Sequence, residues 1–133
     1  MGTLPRVLVV DDDPTVQMNL RAYLEDEGFT VLSASSGEDA LDLLMEKSPP
    51  DLAVLDIRLT GMSGEELVLR AREIVPKLRF LIHTGSTEYI VPRTLSELGV
   101  RAQDVLVKPV ADTCRFREAI NNLLIREDQD HEG

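Results

Sequence analysis

The sequence predicts an α/β domain built on a parallel, doubly wound sheet, and three observations carry that expectation. Apolar runs and amphipathic stretches alternate along the chain five times, the pattern of strands joined by right-handed helical crossovers. The length, 133 residues, suits one domain of common size, roughly 100–150 residues. Hydrophobic residues make up 43% of the chain but aromatics only 4%, so the core has to be assembled from Leu, Val, Ile and Ala.

Each element has a local reason. Arg6-Val7-Leu8-Val9-Val10 is short, β-branched and ends at acids, as a buried strand does. From Pro14 to Glu27, Val16, Leu20, Tyr23 and Leu24 fall at helical spacing, and Gly28 stands where that helix should stop. Thr30 to Ala34 is a second strand. Ser36-Gly37-Glu38-Asp39 opens a helix carrying Ala40, Leu41, Leu43 and Leu44, and Pro49-Pro50 closes the unit. Leu52 to Leu55 is the third strand. Ser63, with Glu66 three residues on, has the form of a capping box ahead of a helix that buries Leu67, Ala71 and Ile74. Leu78 to Ile82 is the fourth strand, and a helix is expected from Pro92 to Leu98 with Pro92 in its first turn. Val105-Leu106-Val107 is the fifth strand. Asp112 or Thr113 caps a last helix with Phe116, Ile120, Leu123 and Leu124 on one stripe. The domain is expected to span residues 1–125, with 126–133 a polar tail that frays.

Charge and composition exclude several function classes. Asp+Glu number 24 against 14 Lys+Arg, a formal charge of -10, which argues against direct nucleic acid binding through phosphates. Cys114 stands alone and cannot form an internal disulfide, which suits a reducing cytoplasm. No apolar run approaches the roughly 20 residues that span a bilayer. The N-terminal Met1 to Arg6 lacks the basic and apolar stretches of a secretory leader. The chain is therefore expected to work in the cytoplasm without membrane contact.

The polar residues are informative by position. Asp11, Asp12 and Asp13 follow the first strand, Asp56 the third, Thr84 the fourth and Lys108 the fifth. In a parallel sheet these strand ends share one edge, where open α/β sheets bind ligands. Carboxylates about 4 Å apart repel by about 4 kcal/mol per pair at an effective dielectric near 20, so they must separate, protonate or hold a cation. An oxygen-only donor set suits Mg²⁺, with Mn²⁺ as a second option. Asp13 directly precedes Pro14 and reads as a helix N-cap, which leaves Asp11 and Asp12 for the metal. Asp56 ends a run buried on both faces and needs a partner there; the metal and Lys108 are the candidates. A carboxylate can attack phosphorus to give an aspartyl phosphate, with the metal, Lys108 and the Thr84 hydroxyl stabilising the phosphoryl oxygens. Simpler readings stay open: the acids cap and solvate a turn, Lys108 makes a structural salt bridge, and Thr84 bonds its own loop. His83 alternates to a helix-facing side and is read as structural.

These residues are familiar as a set. Val7-Leu8-Val9-Val10-Asp11-Asp12-Asp13, Asp51 to Leu59 with Asp56 inside it, Gly61-Met62-Ser63-Gly64 and Val107-Lys108-Pro109 resemble, in this order, the receiver domains of bacterial two-component response regulators. The likeness runs from about Arg6 to Ile125. It implies a flavodoxin-like five-stranded sheet of order 2-1-3-4-5. It implies that Asp56 takes phosphate from a phosphohistidine on a sensor histidine kinase or histidine phosphotransfer protein. Mg²⁺ would be held by Asp11, Asp12, Asp56 and the backbone carbonyl of Arg58. Lys108 and Thr84 would contact the phosphoryl group, Pro109 would follow a cis peptide, and Arg58 and Ser86 match positions that tune dephosphorylation. Such a domain is a phosphoacceptor that assists its own chemistry rather than a free-standing enzyme, and it acts on an output domain or partner protein.

Two positions depart from the family pattern. Val105 stands where an aromatic usually precedes the lysine by three residues, and it cannot make the large rotation of the usual aromatic switch. Thr60 stands where Pro commonly follows the acceptor by four. Two rivals remain: a receiver-like binding module that works without phosphate, and a haloacid-dehalogenase-like phosphatase. In the second, Asp11 would be nucleophile and Asp13 acid/base, from the pattern Asp11-Asp12-Asp13-Pro14-Thr15.

Overall fold

In the computed structural model all five apolar runs pair side by side in one direction. The structure describes residues 5–46, 48–108, 110 and 114–132, with side chains to Ile125. The strands are β1 (Arg6–Val10), β2 (Thr30–Ala34), β3 (Leu52–Leu55), β4 (Arg79–Thr84) and β5 (Val105–Val107). They form one parallel sheet in the order β2-β1-β3-β4-β5, so the flavodoxin-like, doubly wound fold class is observed. The helices are α1 (Pro14–Asp26), α2 (Gly37–Leu44), α3 (Gly64–Ile74), α4 (Arg93–Ser96) and α5 (Cys114–Glu132).

Strand alternation divides the core in two. Leu8, Val10, Ala53, Leu55, Phe80 and Ile82 point to the side covered by α2, α3 and α4. Val7, Val9, Leu52, Val54, Leu81 and Leu106 point to the side covered by α1 and α5. A sheet buried on both faces needs apolar residues at successive positions, which is why the strands read as unbroken runs. Each fully buried aliphatic side chain contributes about 1.5–3 kcal/mol relative to exposure.

Local chemistry sets the helix starts. Asp13 Oδ1 accepts the Thr15 N–H at 2.9 Å, Ser36 Oγ the Asp39 N–H at 3.1 Å, and Ser63 Oγ the Glu66 N–H at 3.1 Å. Such a cap stabilises by about 1 kcal/mol. The Glu66 carboxylate turns to Arg70 at 2.9 Å, so the capping box at Ser63 is made in one direction. Gly28 ends the α1 unit at φ 99°, a left-handed conformation that favours glycine.

The structure departs from expectation in three places. β4 runs on to Thr84 because Ile82, His83 and Thr84 pair with β5. The helix expected over Pro92–Leu98 is one turn, Arg93–Ser96, with Pro92 as its N-cap. Beyond it the N–H groups of Leu98 and Gly99 reach back three residues rather than four, and Gly99 ends the segment at φ 97°. A 3-10 turn at Ala102–Asp104, which periodicity did not reveal, leads into β5, with Asp104 accepting the Arg101 N–H at 2.8 Å. α5 is continuous from Cys114 to Glu132. The cis peptide at Pro109, the cap at Asp112 or Thr113, the N-terminal Met1 to Leu4 and Gly133 lie outside the described residues.

One cation ties three elements together behind the sheet. Arg72 of α3 donates to the carbonyls of Leu78 and Leu98, each at 3.0 Å, and its guanidinium lies 5.5 Å over the Phe80 ring.

Candidate functional site

Strand order reverses its direction of growth at β1, between β2 and β3, and the crevice beyond the strand C-termini opens there. Asp11 lies just past β1 and Asp56 just past β3, with the Asp56 N–H bonded to the Val10 carbonyl at 3.2 Å. Both acids are buried, Asp11 at 3% exposure and Asp56 at 8%. Asp12 is exposed. Oxygen atoms of Asp11, Asp12 and Asp56 all lie within 4.8 Å of one another.

Lys108, at the end of β5, reaches the same place. Its ammonium donates to Asp11 Oδ2 and Asp56 Oδ2, each at 2.8 Å. Burial pulls the Lys108 pKa down, but the hydrogen bonds it donates to Asp11 and Asp56 and their charges more than offset this, and the ammonium is held above its ordinary value. Three carboxylates against one ammonium leave two negative charges uncompensated, the charge of one divalent cation. Oxygen-only donors beside an exposed acid, with room for water, fit a magnesium-like ion.

The remaining valences of the acids are directed by neighbours. Asp11 Oδ1 accepts the Asp13 N–H at 2.9 Å, and Asp56 Oδ1 accepts the Arg58 N–H at 3.1 Å. Each buried carboxylate therefore has one oxygen on the backbone and one on the lysine. Asp12 Oδ2 accepts the Thr60 hydroxyl at 2.8 Å, a link between residues 48 apart. Gln17 donates to the carbonyls of Asp11 and Ala34, both at 3.0 Å, and so fastens the acidic turn to the end of β2.

Gly64 lets α3 approach this turn. A Cβ there would lie 2.5 Å from the Asp56 carbonyl oxygen and 2.7 Å from Ile57 Cα, both backbone atoms. The Gly64 N–H meets the Ile57 carbonyl at 2.9 Å.

Thr84 is buried at 1% exposure, and its hydroxyl oxygen accepts the Ser86 N–H at 3.2 Å. Its carbonyl accepts the Lys108 N–H at 2.7 Å, which ties the ends of β4 and β5 together. Val105 is half-buried against the core on the α3 side. Tyr89, in the loop before α4, donates its hydroxyl to Glu65 Oε2 of α3 at 3.1 Å. Burial first, and then the Glu65 charge, pushes the Tyr89 pKa up. His83 faces α5, with its ring edge-on to Phe116 at 4.9 Å between centroids. Burial lowers its pKa to about 4, with a further push from Lys108 against the pull of Asp11 and Asp56.

Sequence reasoning thus places Asp11, Asp12, Asp56 and Lys108 together, and the structure brings them together; Arg58 contributes its N–H. It missed Thr60, Gln17 and Gly64 as supports. Thr60 was visible as a departure from pattern, and Gly64 as a glycine one residue after a cap.

A doubly wound sheet with an acid cluster at its switch point and a lysine across it defines a class of small α/β proteins whose strand C-termini gather carboxylates around one ammonium. The match to known proteins then narrows the class. The response regulator receiver domain profile matches residues 7–121, and the chain belongs to that family. It is 39% identical over 114 residues to the transcriptional regulatory protein AruR of Pseudomonas aeruginosa, covering 83% of this chain and 46% of AruR. It is 31% identical over 119 residues to sporulation initiation phosphotransferase F of Bacillus subtilis, covering 90% and 93%. The chain spans about half the length of AruR and of AfsQ1 from Streptomyces coelicolor, 46% of each. Among solved structures, a receiver domain protein of Clostridium thermocellum superimposes with TM-score 0.79 at 28% identity, over 95% of this chain and 98% of that one. The response regulator TrrA of Thermotoga maritima, solved in complex with Mg²⁺-BeF, superimposes with TM-score 0.74 at 29% identity, over 90% and 99%. Among the described residues no helix is long and apolar enough to cross a membrane.

Proposed function

We propose that this receiver domain accepts a phosphoryl group on Asp56 from a phosphohistidine of a sensor histidine kinase or a histidine phosphotransfer protein. The single observation that carries the reading is the Lys108 ammonium bridging Asp11 and Asp56, 2.8 Å from each. A nucleophilic carboxylate, an adjoining acid pair and a lysine ammonium within reach are the parts that in-line phosphoryl transfer needs.

In the reaction an Asp56 oxygen forms the new P–O bond while the P–N bond to the donor imidazole breaks and its electron pair returns to that ring. The Arg58 N–H on Oδ1 orients the carboxylate, so that Oδ2 is the oxygen released when Lys108 moves. Asp11, Asp12, Asp56 and the Arg58 carbonyl would hold Mg²⁺, which when bound would supply charge neutralisation for phosphoryl oxygens. Lys108 transfers its hydrogen bond from Asp56 to a phosphoryl oxygen. Thr84 takes the Ser86 N–H on a lone pair and keeps its own hydroxyl proton for the same group.

Phosphorylation adds about -1.5 to -2 charges, which draw Thr84 and Lys108 inward and displace the loops after β4 and β5. The signal then leaves through α4, β5 and α5 to an output domain or partner protein. Val105 is too small for the large inward rotation of an aromatic, so the displacement has to travel through the backbone after Thr84 and the Tyr89–Glu65 contact.

Labelling with radioactive acetyl phosphate or a phosphorylated kinase tests the assignment. Incorporation is expected to require Mg²⁺, to be released by hydroxylamine, and to vanish in Asp56→Asn. Label that survives in Asp56→Asn and disappears in Asp11→Asn would transfer the role to Asp11, as the phosphatase reading requires. No label in the wild type would leave a binding module.

A further inference from the structure

We propose that the cavity between α1, the end of β4 and α5 binds one small, uncharged, hydroxyl-bearing aromatic molecule, a phenol in chemical class, with its hydroxyl on the His83 imidazole. This site lies on the opposite side of β4 from the loops that frame α4, and the inference does not depend on phosphorylation of Asp56.

Four observations lead there. The cavity holds about 230 Å³ and is lined by Val16, Asn19, Leu20, Tyr23, Val110 and Phe116, together with His83 and Lys108. An apolar cavity of about 150 Å³ is enough for benzene, so this one has room for a single ring with a small substituent. His83 is more than nine-tenths buried, at 7% exposure, and makes no hydrogen bond among the described residues. Its described partner is the Phe116 ring, met edge-on at 4.9 Å. The His83 ring nitrogens are not among the enclosed unpaired polar atoms, so they open onto this volume, where a bonding group of a ligand can take the place of water.

Charge selects among ligands. The Lys108 ammonium is already committed to Asp11 and Asp56 at 2.8 Å each, so it does not offer an anion a free cation. The nearby acids repel carboxylates and phosphates, and the apolar walls reject a bare cation. A neutral hydroxyl suits His83 in either tautomer, because it can donate to the ring lone pair or accept from the ring N–H. Burial and Lys108 keep that imidazole neutral at pH 7, so both a lone pair and an N–H are present.

The test is an NMR titration of the whole chain with phenol, benzene and benzoate, following the methyl signals of Val16, Leu20 and Val110 and the ring signals of His83. Phenol is expected to shift these signals saturably and to bind about tenfold more tightly than benzene, the ratio one net hydrogen bond of about 1.4 kcal/mol gives. Benzoate is expected to bind more weakly than either. His83→Phe should reduce phenol to the affinity of benzene. Should that variant not fold, the comparison of the three ligands on the wild type decides alone. Equal affinity for phenol and benzene, shifts scattered over the surface, or a phenol preference that persists in His83→Phe would overturn the proposal.

Discussion

Replacing Lys108 with Met removes the cation from a pocket that has been folded around it. Two carboxylates, 4% and 11% exposed in their side chains, each lose an ammonium 2.8 Å away. At an effective dielectric near 20, each contact is worth about 6 kcal/mol in gross attraction, while the acid pair left behind, with oxygens no more than 4.8 Å apart, repels by at least about 3.5 kcal/mol. Most of the attraction is offset by the desolvation of all three groups, and breaking a buried pair costs about 3–5 kcal/mol net. The lysine side chain is 21% exposed, so the lower end, about 3 kcal/mol, is expected. With a urea slope of about 2 kcal/mol/M, the unfolding midpoint followed by far-UV circular dichroism at pH 7 should fall by about 1.5 M. Added Mg²⁺ should then stabilise Lys108→Met more than it stabilises the wild type, because the variant offers the ion an uncompensated pocket; at 100 times its Kd an ion contributes about 2.7 kcal/mol. A variant as stable as the wild type without Mg²⁺, or one that gains no more from it, would refute the picture of a cation-dependent acid pocket.

Thr60→Val removes the hydroxyl that holds Asp12 Oδ2 at 2.8 Å. Because both groups are exposed, stability should change by less than about 0.5 kcal/mol. Mg²⁺ affinity by calorimetry should fall roughly 3–10-fold, as it does when a ligand loses its supporting hydrogen bond, and Thr60→Ser should restore it. Gly64→Ala sets a methyl 2.5 Å from the Asp56 carbonyl oxygen, so it should cost about 1–3 kcal/mol in urea unfolding and slow acetyl phosphate labelling as well. His83 has a folded pKa lowered to about 4 from 6.5, so the unfolded chain binds its proton more readily. The stability this gives is complete above about pH 6.5 and is lost as pH falls toward 4, by at most about 3 kcal/mol. His83→Leu should lose less stability across that window than the wild type, and parallel pH profiles would contradict the assignment.

The fold was legible because a doubly covered parallel sheet imposes a severe pattern. Val7 to Val10 and Leu52 to Leu55 have no polar residue because neither face of those strands meets water. The same rule exposed the pocket: where the apolar run stops, the side chain beyond it lies on the ligand-binding edge, so Asp11, Asp56 and Lys108 could be named by position. α4 was misjudged in length because Leu95 and Leu98 repeat at helical spacing on either side of where the bonding changes to i→i−3. The Thr60–Asp12 bond was illegible because nothing local links residues 48 apart. Gly64 looks like any helix-start glycine until the opposing backbone is seen. Asp104, buried at 3%, belongs to a 3-10 turn too short to carry a period.

The guanidinium of Arg72 gives the short fourth helix a fulcrum. It grips the carbonyl of Leu98 just beyond that helix and the carbonyl of Leu78 at the start of β4, so the far end of the segment is pinned to the sheet. The near end, from Gly85 to Pro92, is held by the Tyr89 hydroxyl on Glu65 and by Tyr89 and Val91 packed against the core. Between these two holds Ile90 stands 84% exposed, a large apolar side chain left on the surface of a segment fixed at both ends.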